Sequence, residues 1–181
     1  SEAILSGKVK MGKYPIVDLI NGLERYDGYT PEYYKSFTPT MINKIENYIH
    51  HGGRLLVSGS YIGSDMQTDE EKNFLANTLK VQYQVSDSLK ATPMVNGLGM
   101  NFDYYDKLND KHYAATHPDI LAPIDGAICT MQYINGASAA VGYKGNGYGS
   151  FTMGFPFECI KNEQTRGQLM SGILKYLLGN K

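Results

Sequence analysis

GGRLLVSGSYIGSD, residues 52–65, is the stretch on which the reading of this chain turns. The glycine pair stops whatever precedes it, and Leu55 to Ser58 form a short apolar run of the kind that makes a buried strand. Gly59-Ser60-Tyr61-Ile62-Gly63 then reproduces the sharp strand-to-helix turn written G-x-nucleophile-x-G, with a tyrosine in the nucleophile's position.

Upstream, Thr38 and Pro39 are an N-cap and a proline at the first helical position, and Met41, Ile42, Ile45, Tyr48 and Ile49 recur at helical spacing until Gly52-Gly53. Before that helix, YPIVDLI (14–20) is a near-continuous apolar run that suits a central parallel strand ended by Asn21-Gly22. Strand, helix and strand therefore predict a βαβ unit with parallel neighbours. A polar, tyrosine-rich loop, GLERYDGYTPEYYKSF (22–37), links the first strand to the helix.

Downstream, Thr68 and Glu71 form a capping box, and Phe74, Leu75 and Leu79 give the next helix an inward face. Val81 to Val85 alternates like an exposed strand, and Ser86 to about Leu121 carries only irregular signals. AICTMQYI (127–134), SAAVGYK (138–144) and YGSFTMGF (148–155) are separated by Asn135-Gly136 and Gly145-Asn146-Gly147, which predicts an antiparallel meander. Residues 163–178 predict a last helix, capped by Asn162 and stopped by Gly179, with Leu169, Met170, Ile173, Leu174, Leu177 and Leu178 on its apolar face. The expectation is an α/β three-layer sandwich with a parallel sheet, an antiparallel C-terminal meander and a final helix. No linker or repeat divides residues 1–181, so a single domain is expected. Because SEAILSGKVK reads as the end of a helix, that domain is expected to be a fragment of a longer chain lacking its first strands.

With 42% hydrophobic and 19% charged residues and a net charge of −1, the composition carries no basic excess for nucleic acid or an anionic membrane. No stretch approaches the ~20 apolar residues of a membrane span, and residues 1–20 lack the regions of a signal peptide. Cys129 and Cys159 fall in expected strands and either pair or stay as buried free thiols. Fifteen tyrosines and no tryptophan give a surface suited to sugar contact.

YPIVDLINGLE (14–24), FTPTMINKIENYIHHGGRLLVSGSYIGSD (37–65) and GFPFECI with RGQLMSGILKYLL (154–178) together resemble the class I glutamine amidotransferase-like, flavodoxin-like fold. The version they are similar to is the C-terminal region of large secreted Bacteroidetes proteins labelled xanthan lyase. That resemblance implies further strands and helices before Tyr14, a secreted or cell-surface location, a polysaccharide context, and other domains of the same polypeptide as partners. It also implies a cysteine at the turn, where this chain has Tyr61, and a His-Pro-Glu motif, where it has Phe155-Pro156-Phe157-Glu158. With nucleophile and general base both replaced, the triad logic of the ancestral reaction is broken, and no catalytic residue is assigned.

Glu24, Ser60, Tyr61, Asp65 and Glu158 are expected around the crevice that open α/β sheets form at the carboxyl ends of their strands, and Tyr29, Tyr33 and Tyr34 are candidate sugar contacts. Ser58 and Ser60 otherwise satisfy backbone groups at a strand end. His50 and His51 suit a helix C-terminus, and His112 and His117 read as surface loop. Asp103, Asp106, Asn109 and Asp110 do not follow a calcium-loop spacing, and Gly142, Gly145, Gly147 and Gly149 lie between meander strands, so neither metal nor nucleotide cofactor is expected. The functional expectation is a noncatalytic accessory or interaction domain. The alternatives are a hydrolase or lyase using a remodelled crevice at residues 59–63, and a carbohydrate-binding module.

Overall fold

The computed structural model describes residues 2–29, 34–86 and 88–179. A short helix α1 (Glu2–Leu5) leads to strand β1 (Ile16–Gly22), helix α2 (Pro39–His50) and strand β2 (Arg54–Gly59). Strand β1 lies parallel to β2, as the βαβ pattern predicts, and β2 lies parallel to strand β9 (Tyr148–Met153). From β9 the sheet continues antiparallel through β8 (Ser138–Gly145) and β7 (Ile128–Tyr133) to a hairpin of β4 (Met94–Gly97) and β5 (Met100–Asp103). The sheet order is β1-β2-β9-β8-β7-β4-β5. A separate ribbon pairs β3 (Val81–Tyr83) with β6 (Leu121–Pro123).

The alternation of β2 assigns the two covering layers. Leu55 and Val57 join Ile45, Ile49 and Phe74 under α2 and α3 (Asp69–Phe74). Leu56 joins Phe151, Met153, Leu169, Ile173 and Leu177 under α4 (Glu163–Leu178). The caps follow the sequence: Thr38 accepts from the Met41 N–H, Thr68 and Glu71 form both bonds of a capping box, and Asn162 accepts from the Thr165 N–H. The β8–β9 turn is Asn146-Gly147, at φ 48° and 83°, the left-handed pair that matches the twist of two-residue hairpins.

Several expectations need correction. Strand β1 is an edge of the sheet rather than a central strand, since among the described residues it pairs only with β2, and its Ile20 is 56% exposed. Val81 is buried, so β3 is not an exposed strand throughout. Leu178 is exposed and lies off the packed face of α4. The β4–β5 hairpin arises in the stretch read as irregular. There the residues that turn are Leu98 and Gly99, at φ 50° and 77°, while Asn96-Gly97 lies within the strand. Cys159 sits in a 3-10 turn (Phe157–Cys159) rather than a strand, and both cysteines are free thiols. No helix among the described residues is long and apolar enough to cross a membrane.

Candidate functional site at the carboxyl end of the sheet

The carboxyl ends of β1 and β2 are tied backbone to backbone. Strand β1 finishes in an irregularity around Asn21, and the Gly22 carbonyl then accepts from the Ser60 N–H at 2.9 Å. Gly22 has φ 56°, a left-handed conformation that favours glycine, and the Glu158 and Tyr113 side chains lie over it at the strand end. The Asn21 side chain donates to the Ser36 carbonyl at 2.8 Å, which brings the far end of the tyrosine-rich loop to the same place.

Beyond β2 the chain differs from a nucleophile elbow. Residues 60–65 form a turn, and α3 begins only at Asp69, so no helix stands directly behind the turn. None of residues 59–63 has a left-handed φ, so the strain that projects a nucleophile above a sheet is missing. Ser60 is fully buried, whereas Tyr61 is half-buried.

Two of the turn's backbone donors are taken up by a buried carboxylate. Asp119 Oδ2 accepts from the Gly63 N–H at 2.7 Å and the Ser64 N–H at 3.0 Å. Its own N–H donates to the Gly154 carbonyl at 2.7 Å, and its carbonyl accepts from the Tyr133 hydroxyl at 2.8 Å. One residue thereby joins the turn to the ends of β9 and β7. Burial pushes the Asp119 carboxyl up to about 6, against the opposing pull of the two backbone donors. Gly154 makes the approach possible, since a Cβ there would lie 2.2 Å from the Asp119 carbonyl oxygen.

Sequence reasoning missed Asp119, while His117, read as surface loop, is exposed outside any helix or strand. The available signal was the tripeptide His117-Pro118-Asp119, a His-Pro-acid order like the one sought, without success, at residues 155–158. The ring of His117 is exposed and stacks on Tyr61 at 6.2 Å, and its Nδ1 lies 2.9 Å from Thr116 Oγ1. The Arg25 guanidinium lies 4.8 Å from the Tyr61 ring centre. Phe155, in the histidine's expected place, is buried in an aromatic cluster, with Tyr104 stacked 4.9 Å away.

The remaining candidates divide into those that hold the loop and those that are open. Asp65 is 9% exposed and accepts from the Tyr26 N–H at 3.1 Å and the Ser36 N–H at 2.9 Å, so it anchors the loop. Burial raises its carboxyl above the ordinary range, opposed by those bonds and by Lys35. Lys35 and Glu71 form a buried ion pair at 2.6 Å. Glu24 is half-buried with its carboxyl raised by burial and by Asp65, and its carbonyl accepts from the Ser36 hydroxyl. Glu158 accepts from the Tyr113 hydroxyl, and its carboxyl is raised by burial and by Asp18. Tyr29 is 93% and Tyr34 48% exposed, while Tyr33 lies outside the described residues. Between the loop and the turn lies a hollow of about 370 Å³, lined by Arg25, Tyr26, Lys35, Tyr61, Asp65 and Gln67 among others. No group of three potential metal ligands occurs among the described residues, and Asp103 is paired with Lys161 at 2.6 Å.

The chain shares its fold with one region of large glycoside hydrolases. It superposes on the β-galactosidase of the Antarctic haloarchaeon Halorubrum lacusprofundi with a TM-score of 0.55 and 15% identity, over 93% of this chain and 23% of that one. The β-galactosidase of Rahnella sp. R3 gives a TM-score of 0.52 and 14% identity, over 92% and 23%. This chain thus spans about a quarter of the length of those enzymes. Cytoplasmic protein STM3548 of Salmonella typhimurium is similar at a TM-score of 0.51 and 14% identity, over 92% of this chain and 73% of that one. The shared architecture is the amidotransferase-like, flavodoxin-like α/β domain. No known sequence family matches the chain, and no curated protein does.

Proposed function

We propose that this chain is a noncatalytic accessory or interaction domain of a larger polysaccharide-processing protein, secreted or held at the cell surface, with other domains of the same polypeptide as its partners. In this reading residues 1–181 are one domain of a longer chain, similar to the C-terminal region of the Bacteroidetes proteins labelled xanthan lyase. The carrying observation is the Asp119 carboxylate. It takes up the Gly63 and Ser64 N–H groups within the turn, while Tyr61 holds the nucleophile's position with Arg25 and His117 in contact with its ring. An acyl-transfer site needs such donors free to meet a developing oxyanion. The match to a quarter of the length of glycoside hydrolases supports the accessory role by analogy of fold.

A hydrolase or lyase built on Ser60 requires an accessible hydroxyl, and the full burial of Ser60 counts against it. The test is labelling with a serine-reactive fluorophosphonate probe, together with a turnover assay on amide, ester and glycoside substrates. No labelling and no turnover are expected. Labelling that disappears in Ser60→Ala would overturn the noncatalytic reading. A carbohydrate-binding role remains a second reading because Tyr29 and Tyr34 present their rings to solvent.

A further inference from the structure

The hollow beside Tyr61 has a feature that the accessory role does not require. Arg25 is exposed, yet its guanidinium is laid on the Tyr61 ring at 4.8 Å, and His117 stacks on that same ring. That contact holds the guanidinium beside the hollow, while the side chain as a whole stays exposed to solvent. Among the described residues no carboxylate lies within ion-pair distance of it. The other charges around the hollow are already engaged: Lys35 pairs with Glu71, and Asp65 accepts from the Tyr26 and Ser36 N–H groups. A guanidinium held at the rim of a hollow can grip a carboxylate through two parallel hydrogen bonds. Beside it the hollow offers a volume of about 370 Å³, the Tyr26 ring and the exposed Gln67 side chain. That is the low end of the size of ligand clefts, with polar groups for hydroxyls and an aromatic edge for a ring.

We infer that this hollow binds an acidic saccharide, with Arg25 holding the carboxylate of a uronic acid unit. The inference rests on the polysaccharide reading above and specifies the class of sugar. The test is calorimetric titration of the chain with digalacturonate, neutral galactobiose and succinate, repeated on Arg25→Ala and Arg25→Lys. Digalacturonate is expected to bind, with galactobiose and succinate each at least about tenfold weaker. Both variants are expected to lose about tenfold or more while melting within about 2 °C of the parent, because lysine keeps the charge but not the fork. No binding of digalacturonate, equal binding of succinate, or unchanged affinity in Arg25→Ala would each overturn the inference. Galactobiose bound as tightly as digalacturonate would overturn it too, yet leave the polysaccharide reading standing. Turnover by the chain would instead break the accessory reading.

Discussion

The two flanks of Tyr61 have been treated differently by the fold. On the flank toward β9, Asp119 fills the space at the strand ends and accepts from two backbone donors of the turn, Gly63 and Ser64, and Gly154 and Tyr133 hold it there. On the flank toward the tyrosine-rich loop, the same turn borders a hollow whose cation, Arg25, lies against the Tyr61 ring and is unpaired among the described residues. The sealed flank pairs a buried carboxylate with two backbone donors, while the Ser58 and Ser60 hydroxyls, expected to satisfy backbone groups there, are buried with no hydrogen-bond partner among the described residues. The open flank leaves an exposed cation beside a hollow. A scaffold can therefore close the position where chemistry would occur while keeping a neighbouring surface fit for a ligand.

The largest expected effect tests the seal through pH. The Asp119 carboxyl stands at about 6 in the fold, against an ordinary value of 3.8, because burial disfavours its charged form. The folded state therefore holds the proton more tightly than the unfolded chain. The associated stability is fully present below about pH 4 and is lost as pH rises through about 6, a swing of about 3 kcal/mol for a shift of roughly two units. Glu24, Asp65 and Glu158 are also raised and push the same way, so the measurement is the difference between the parent and Asp119→Asn. Urea unfolding from pH 4 to pH 7 should show the parent losing stability relative to the variant. A difference that stays flat with pH would mean that the carboxylate is less enclosed than its contacts indicate.

The next effect tests the same seal by steric means. Gly154→Ala would place a Cβ 2.2 Å from the Asp119 carbonyl oxygen, and a backbone atom cannot swing aside as a side-chain tip can. A loss of about 2 kcal/mol is expected from overpacking. Amide exchange should quicken at Gly63 and Ser64 before it does in α2, since Asp119 would be displaced from those two donors. Uniform loosening of the whole domain would instead place Gly154 in the general core.

What the sequence made legible follows from the range over which each signal acts. The βαβ unit, both Thr caps, the meander and α4 rest on periodicity or on contacts three residues apart, and they occur where the residues predict. The position of β1 at the sheet edge depends on which strands pair beside it, which its own apolar run does not encode. The β4–β5 hairpin escaped because its turn is Leu98-Gly99, and leucine is an unusual occupant of a left-handed position. At the site, Tyr61 and Asp65 were visible because they sit in the turn itself. Asp119 joins that turn from more than fifty residues away in sequence, at a separation of 56 from Gly63, and no local pattern carries such a contact.

The smallest expected effect bears on the open flank. Arg25 is exposed and has a ring contact but no ion pair among the described residues, so its truncation removes neither a buried charge nor a core contact. Exposed cation–ring contacts contribute about 0.5–1 kcal/mol, part of which water regains when the side chain is shortened. Arg25→Ala should therefore shift unfolding by only about 0.5 kcal/mol, within the ordinary range for a surface substitution. Thermal melting at neutral pH in low salt, where an unrecognised ion pair would be least screened, measures it. A loss of 2 kcal/mol or more would show that Arg25 holds the loop to the turn, as Asp65 does. The contrast between a sealed and an open flank would then reduce to two structural ties of unequal strength.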